Sequence, residues 1–440
     1  MEVSFISNQR GQVLPLTLLL LVATASIVFY MFNTGQLVQE KIRLTNTADA
    51  VAYSAGVYEA RLLNYDAYTN RAIIANEIAI GQAVGLASWA KYVSIAGPRV
   101  ANVARFIPYV GQAIASGLEA ASEGAEHLLP ELSASVSAND TAIQGLRISQ
   151  SVTHAASLLN RQAVMDEVAM QNDSDARVDL IPINDNFSSF TKKYSTRSER
   201  KRMGQLVENE RKVDSFFKSR NWQFGIFGCP VGFGFKKRGS TELINLVDGW
   251  KSMDTLSLHT YRIRRLSCRH RETPIGYGTA FSKNNLSDGG VTYARSRRDN
   301  RRASAAADSW SGKADGFEPY SYWKGAIPEF YDLSAEALNQ KGPRTQITIR
   351  VTKDSNEQHY SGGNSIAKPT GQLDLYEGEH QAGTSASIAK VEVYFERPDG
   401  ANPRYKQAEL GSLFNPYWQV HLVSVSAAER AQAELRQGFK

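Results

Sequence analysis

The chain has 440 residues, 42% hydrophobic and 21% charged, with 33 glycines, 14 prolines and two cysteines. That composition excludes a collagenous, low-complexity or disordered chain, and at about 100–200 residues per domain the length makes two to four units. The net charge of +6 is uneven: Thr191 to Arg302 holds 25 Lys/Arg against 10 Asp/Glu, which leaves the rest of the chain at −9.

No charged side chain occurs between Arg10 and Glu40, and Val13 to Phe32 reads VLPLTLLLLVATASIVFYMF. A helix of this length rises about 30 Å, the thickness of a bilayer hydrocarbon core. It is expected to span the inner (cytoplasmic) membrane once. Ala23 and Ala25 have the spacing of a signal-peptide cleavage site, but the apolar run continues past them to Phe32, longer than such a signal needs. Pro15 falls in the first turn, where its missing N–H costs little. Arg10 on one side and Lys41 and Arg43 on the other leave the positive-inside comparison nearly even.

Helical spacing continues through Leu37, Val38, Ile42, Ala48, Val51, Ala52 and Ala55, so the membrane helix is expected to run on as an amphipathic stalk. Its alanine face, Ala48, Ala52 and Ala55, suits close approach of another helix, and equally suits an ordinary core helix.

The run RGQVLPLTLLLLVATASIVFYMF followed by RLTNTADAVAYSAG resembles the amino-terminal module of the TadE/TadG-like proteins of Flp (tight adherence) pilus assembly. The residues that carry the likeness are Leu44, Asn46, Ala48, Asp49 and Ala50, within the first 60 residues. LNYDAYTNRAIIANEIAIGQAV, DTLSLHTYRIRR and FNPYWQVHL are similar to the longer TadG-related proteins of Gram-negative bacteria. The resemblance implies a minor pilin or membrane-anchored assembly factor, with the carboxy-terminal region periplasmic or extracellular and a part in surface attachment (adhesion). Its implied partners are other pilin-like or pilus-assembly subunits and the prepilin peptidase, with Gly11 as the processing site. Two departures narrow this. The fifth residue after Gly11 is Leu16, where pilins of this type carry a glutamate, which argues against self-assembly as a major pilin. The Asp-x-Ser-x-Ser metal motif of some TadG proteins is also missing, since Asp254 is followed at those offsets by Leu256 and Leu258, and Asp308 by Trp310 and Gly312.

Beyond the stalk, Asp66 to Gly97 has helical periodicity, but Arg71, Glu77 and Lys91 speak against a second span, and Pro98 is expected to end the helix. A Gly/Ala-rich helix from Pro108 to Leu129 follows. A polar break at Ser137 to Asp140, with Asn139 or Asp140 as cap, would start another helix running to Gln171. From Asn184, SSFTKKYSTRSERKRM reads as a basic loop or helix end around Arg197, Arg200, Lys201 and Arg202. WQFGIFGCPVGFGF and IGYGTAF suggest short strands and turns. QITIRV, KVEVYF and WQVHLVSV alternate as strands do, SGGNS and EGEHQAGTSAS link the first two, and AAERAQAELRQ is a terminal helix.

The expected fold class is therefore α+β, in four successive segments: a membrane helix and stalk (1–60), a helical region (61–183), a basic Gly/aromatic-rich mixed region (184–340) and a β-rich region with a carboxy-terminal helix (341–440). Cys229 and Cys268 form a disulfide if that region is exported, and two thiols otherwise. Neither has the ligand spacing of a zinc site, and Glu377, Glu379 and His380 in EGEH read as a solvated loop rather than a metal site. GxSxG and GxxxxGK[ST] are absent, and GFGFKKRG lacks the following Ser/Thr and helix. A non-enzymatic protein without metal or cofactor is expected. The arginines of YRIRRLSCRHR and YARSRRDNRR, namely Arg262, Arg264, Arg265, Arg269, Arg271, Arg297 and Arg298, form a candidate anion-binding patch. They fit a charged strand face paired with acids elsewhere, an anionic surface such as lipid headgroups, or nucleic acid. The alternative function is accordingly a membrane-tethered nucleic-acid-binding protein that uses 191–302.

Overall fold

A computed structural model describes residues 13–214, 217, 220–283, 290–293, 327–354, 384–397 and 409–438. Two long helices come first, α1 (Val13–Ala104) and α2 (Gly111–Asn172). The remainder, in order, is β1 (Arg177–Val178), β2 (Asn184–Asp185), α3 (Phe187–Phe190), β3 (Thr191–Tyr194), α4 (Arg197–Val213), β4 (Trp222–Ile226), β5 (Val231–Leu243), β6 (Trp250–Arg264), β7 (Ser267–Lys283), β8 (Gly290–Tyr293), β9 (Phe330–Leu333), α5 (Ala335–Leu338), β10 (Arg344–Asp354), β11 (Thr384–Phe395), β12 (Trp418–Val423) and α6 (Ala427–Gly438). The α+β class holds: a long apolar amino-terminal helix, a helical region, then strand-rich sheets.

The four successive segments do not coincide with the compact units, of which there are two, each assembled from separated stretches. The first unit comprises Met1–Tyr65, Thr153–Lys192 and Leu333–Lys440. Its antiparallel sheet has the order β1-β10-β11-β12, with β2 also paired to β10. The register sets Ile347 opposite Val391 and Ile349 opposite Ala389 on one face, which packs on Leu44, Ala48, Val51, Ala52 and Ala55 of α1 and Met165 and Ala169 of α2. This is the period-two face of a strand meeting the small-residue stripe of a helix. A Cβ at Gly56 would lie 2.5 Å from Val420 Cγ2 and 2.8 Å from Val391 Cγ2, so only glycine lets the helix sit this low on the sheet. On the other face, the Glu429 carboxylate of α6 accepts from Thr348 Oγ1 (2.7 Å) and pairs with Lys390 (3.0 Å). Glu429 and Ser426 cap α6 reciprocally, the Ser426 backbone N–H donating to the carboxylate at 2.9 Å.

The second unit comprises Asp66–Val152 and Lys193–Asp332. Here α1 and α2 form an antiparallel hairpin that is close-packed where Ser122 Oγ donates to Val93 O (3.3 Å) and where Gln150 Nε2 donates to Thr69 Oγ1 (2.6 Å). An antiparallel meander, β4-β5-β6-β7-β8, lies on α1. Trp250 Nε1 donates to Glu77 (3.1 Å), Ser88 Oγ donates to Asp254 (3.0 Å), and Arg99 Nη1 donates to Ile275 O (2.7 Å). β6 thus runs alongside α1 in the same direction. α4 opens with a reciprocal capping box, Thr196 with Glu199.

Two helix expectations need correction. α1 does not stop at Pro98 but continues to Ala104. The proline's cost, about 3 kcal/mol, is offset by packing on both sides of it: Ala96, Ala101 and Ala104 are buried, and Arg99 reaches the sheet. Ser137 to Asp140 is no break, because Ser137 Oγ, Asn139 Nδ2 and Thr141 Oγ1 each donate to the carbonyl four residues earlier in α2. Of the two readings of the basic segment, the helix end holds: Arg197, Arg200, Lys201 and Arg202 open α4 behind strand β3, with Arg197 paired to Asp248, and Arg202 to Asp332 at 2.6 Å.

Candidate functional site

Every residue from Val13 to Phe32 is exposed, and cover begins only at Asn33. Among the described residues this is the one helix with a window long and apolar enough to cross a membrane. Thr17, Thr24 and Ser26 return their hydroxyls to carbonyls three or four residues back, so these three donors need no partner in the lipid. The helix is therefore a candidate single-pass span that enters the first unit without a break.

Where it emerges, carboxylates surround the basic residues. Lys41 donates to Ala386 O at 2.9 Å, and burial pushes its pKa down to about 8. Arg43 pairs with Asp173 at 3.5 Å, and Lys353, almost wholly buried, bridges Asp173 (3.0 Å) and Glu40 (3.3 Å). Deeper in, Arg161 lies between Glu59 and Asp185. Burial alone would lower the Arg161 pKa, but the hydrogen bond to Asp185 and the charges of both carboxylates raise it.

The packing face assigned to a neighbour's helix is corrected. Ala48, Ala52 and Ala55 are each 0% exposed in the core of the first unit, where β10 and β11 cover them. Small residues admitted a close partner, and the partner is the chain's own sheet. The face left open is Val38, Ile42, Asn46 and Tyr53, with Asp49 half-buried beside it. Burial raises the Asp49 pKa.

The arginines assemble at the end of the meander. Cys229, between β4 and β5, and Cys268, one residue into β7, are joined by a disulfide with Cα atoms 5.9 Å apart. The bridge ties the β4–β5 loop to the β6–β7 hairpin, whose turn residues Arg265 and Leu266 have φ of 48° and 63°. Positive φ at both central positions is the twist that closes a two-residue hairpin. The cross-strand pairs Val231 with Arg262 and Arg262 with Arg269 put Arg262, Arg264, Arg269 and Arg271 on one face. All five arginines from Arg262 to Arg271 are exposed, and none forms an ion pair among the described residues. The charged strand face is present, but the acidic partners considered for it are not found among the described residues. Arg297, Arg298 and Gly11 lie outside the described residues, as do Glu377, Glu379 and His380.

The opposite face of the same end carries a ring stack. His259 Nδ1 and His270 Nε2 are 2.7 Å apart, and Tyr261 stacks on His270 at 4.6 Å. Burial lowers the His259 pKa. Among the described residues no three His, Cys, Asp or Glu side chains are grouped to hold a metal.

The family model for putative Flp pilus-assembly TadE/G-like proteins matches residues 11–60. Residues 11–60 are similar to that family. No curated protein and no solved structure matches the chain. Of the module's signature residues, Leu44 and Ala48 are core, whereas Asn46 is exposed and Asp49 and Ala50 are half-buried.

Sequence reasoning missed the company the arginines keep. Trp222, Phe224 and Ile226 of β4 and Val231 and Phe233 of β5 are all exposed on the arginine face. The signal was present in the alternation WQFGI and VGFGF, where large apolar residues recur every second position with mostly glycine between them.

Proposed function

We propose that the chain is a TadG-like structural component of a Flp/Tad pilus, a minor pilin or membrane-anchored assembly factor with no catalytic role. The observation that carries this reading is the match of residues 11–60 to the TadE/G-like family on a helix whose apolar twenty residues are bare. In this reading Val13 to Phe32 anchors the chain in the inner membrane, and both units face the periplasm or the cell exterior. The Cys229–Cys268 bridge supports that orientation, since such bonds persist in oxidising compartments. Neighbouring pilin-like subunits would meet the span and the open stripe of Val38, Ile42 and Tyr53 rather than the alanine face. Leu16 at the fifth position after Gly11 favours a minor over a major subunit. Cleavage by the prepilin peptidase, if it occurs at Gly11, is read directly from the amino-terminal mass of the mature chain.

A nucleic-acid reading draws on the exposed arginines, and one experiment separates the two. A reporter active only outside the cytoplasm is fused after Lys440, and its activity is measured together with membrane fractionation. Membrane association with an active reporter is expected. Membrane association with an inactive reporter and reduced cysteines would overturn the proposed orientation and give the lead to the nucleic-acid reading.

A further inference from the structure

The disulfide-closed end of the meander combines two features that rarely share a surface by chance. The β4–β5 side presents Trp222, Phe224, Ile226, Val231 and Phe233, between 50% and 78% exposed, and Leu266 stands fully exposed at the hairpin tip. The β6–β7 side of the same face presents Arg262, Arg264, Arg269 and Arg271, with Arg265 at the tip beside Leu266. No acidic residue occurs in Trp222 to Lys237 or in Leu258 to Arg271, and none of the five arginines is paired among the described residues.

We propose that this end of the meander is a docking surface for an anionic lipid bilayer, its apolar residues entering the headgroup boundary while the arginines hold lipid phosphates. The occupant follows from the chemistry. Aromatic rings settle at the membrane interface, aliphatic side chains gain by leaving water there, and long cationic side chains extend to phosphates while their stems stay apolar. Nucleic acid would use the arginines but gains nothing from Ile226, Val231 or Leu266, which offer no stacking plane. A second copy would bring five more arginines to the same place, with no acids here to receive them. The bridge between Cys229 and Cys268 keeps both loops at one level, so rings and arginines meet the surface together. The inference does not rest on the pilus reading, because lipid binding is measured on the purified chain.

The test uses the full chain in nanodiscs of neutral phosphatidylcholine, mixed with separate vesicles that contain about one third phosphatidylglycerol or none. Capture of the anionic vesicles alone, weakening as salt rises, is expected. With each arginine worth about fivefold near an anionic surface, Arg262→Gln, Arg264→Gln, Arg265→Gln, Arg269→Gln and Arg271→Gln together should lower capture at least a hundredfold. Phe224→Ser with Ile226→Ser and Leu266→Ser should lower it at least tenfold with the charge intact. Brominated lipid in the vesicles should quench fluorescence in the wild type and not in Trp222→Phe. The variants change exposed residues only, and retention of the Cys229–Cys268 bridge checks their fold. Equal capture of neutral vesicles, undiminished capture by the arginine variant, clustering of nanodiscs without vesicles, or retention of duplex DNA with no vesicle capture would each overturn the proposal.

Discussion

Glu77 of α1 is fully buried and accepts a hydrogen bond from Trp250 Nε1 at 3.1 Å. Burial, reinforced by nearby Asp140, pushes its carboxyl from the ordinary 4.5 up to about 8, so it is neutral at pH 7. Between those values the folded chain holds a proton that the unfolded chain has released. The contribution of this group to the stability of the second unit is therefore fully present below 4.5 and is lost as pH rises through this window. One proton sets a slope of at most about 1.4 kcal/mol per pH unit, so from pH 5 to 8 the loss is on the order of 4 kcal/mol. Glu77→Gln keeps an oxygen for the Trp250 donor and removes the ionisation. Denaturant unfolding of the full chain in detergent, followed by tryptophan fluorescence at pH 5, 6, 7 and 8, should show the wild-type midpoint falling and the Gln midpoint nearly level. Parallel curves for the two proteins would refute the assignment of a buried neutral carboxyl.

Asp254 is buried and receives Arg220 (2.8 Å), Lys237 (2.5 Å) and Ser88 (3.0 Å). Asp254→Ala strands buried Lys237, and a loss of about 3–5 kcal/mol is expected in the same unfolding assay. Gly56→Val should cost the first unit at least about 1–3 kcal/mol by overpacking against Val391 and Val420, seen as faster proteolysis of that unit. Cys229→Ser opens a loop of separation 39, and a loss on the order of 4 kcal/mol is expected under oxidising conditions and none under reductant. Burial works against ionisation of Glu429, but hydrogen bonds from Ser426, Thr348 and Lys390 bring its pKa down to about 2. Its stabilisation is present above the ordinary 4.5 and drains as pH falls toward 2, so Glu429→Gln should flatten the acid limb of unfolding.

The candidate span was legible because its signal is contiguous: twenty residues without charge need no tertiary information. β10, β11 and β12 were legible because one face of each meets a core and alternation records it. Pro98 and Ser137 to Asp140 misled because local punctuation is overruled by packing and by side chains that bond within the helix. The alanine stripe showed that something approaches closely, but not whether that partner comes from the same chain. The arginine cluster was visible by spacing, while the apolar residues beside it became part of the same surface only through the β5–β6 register. The interleaving of the two units was illegible for the same reason, since it depends on which distant strands pair.

The most direct test of the pilus assignment is to remove the gene from its host and image Flp filaments, then restore the chain either intact or with Val13 to Phe32 replaced by an unrelated span of equal length. Loss of filaments and of surface attachment, rescued by the intact chain and not by the exchanged span, is the predicted result. Normal filaments and attachment without the chain would contradict it.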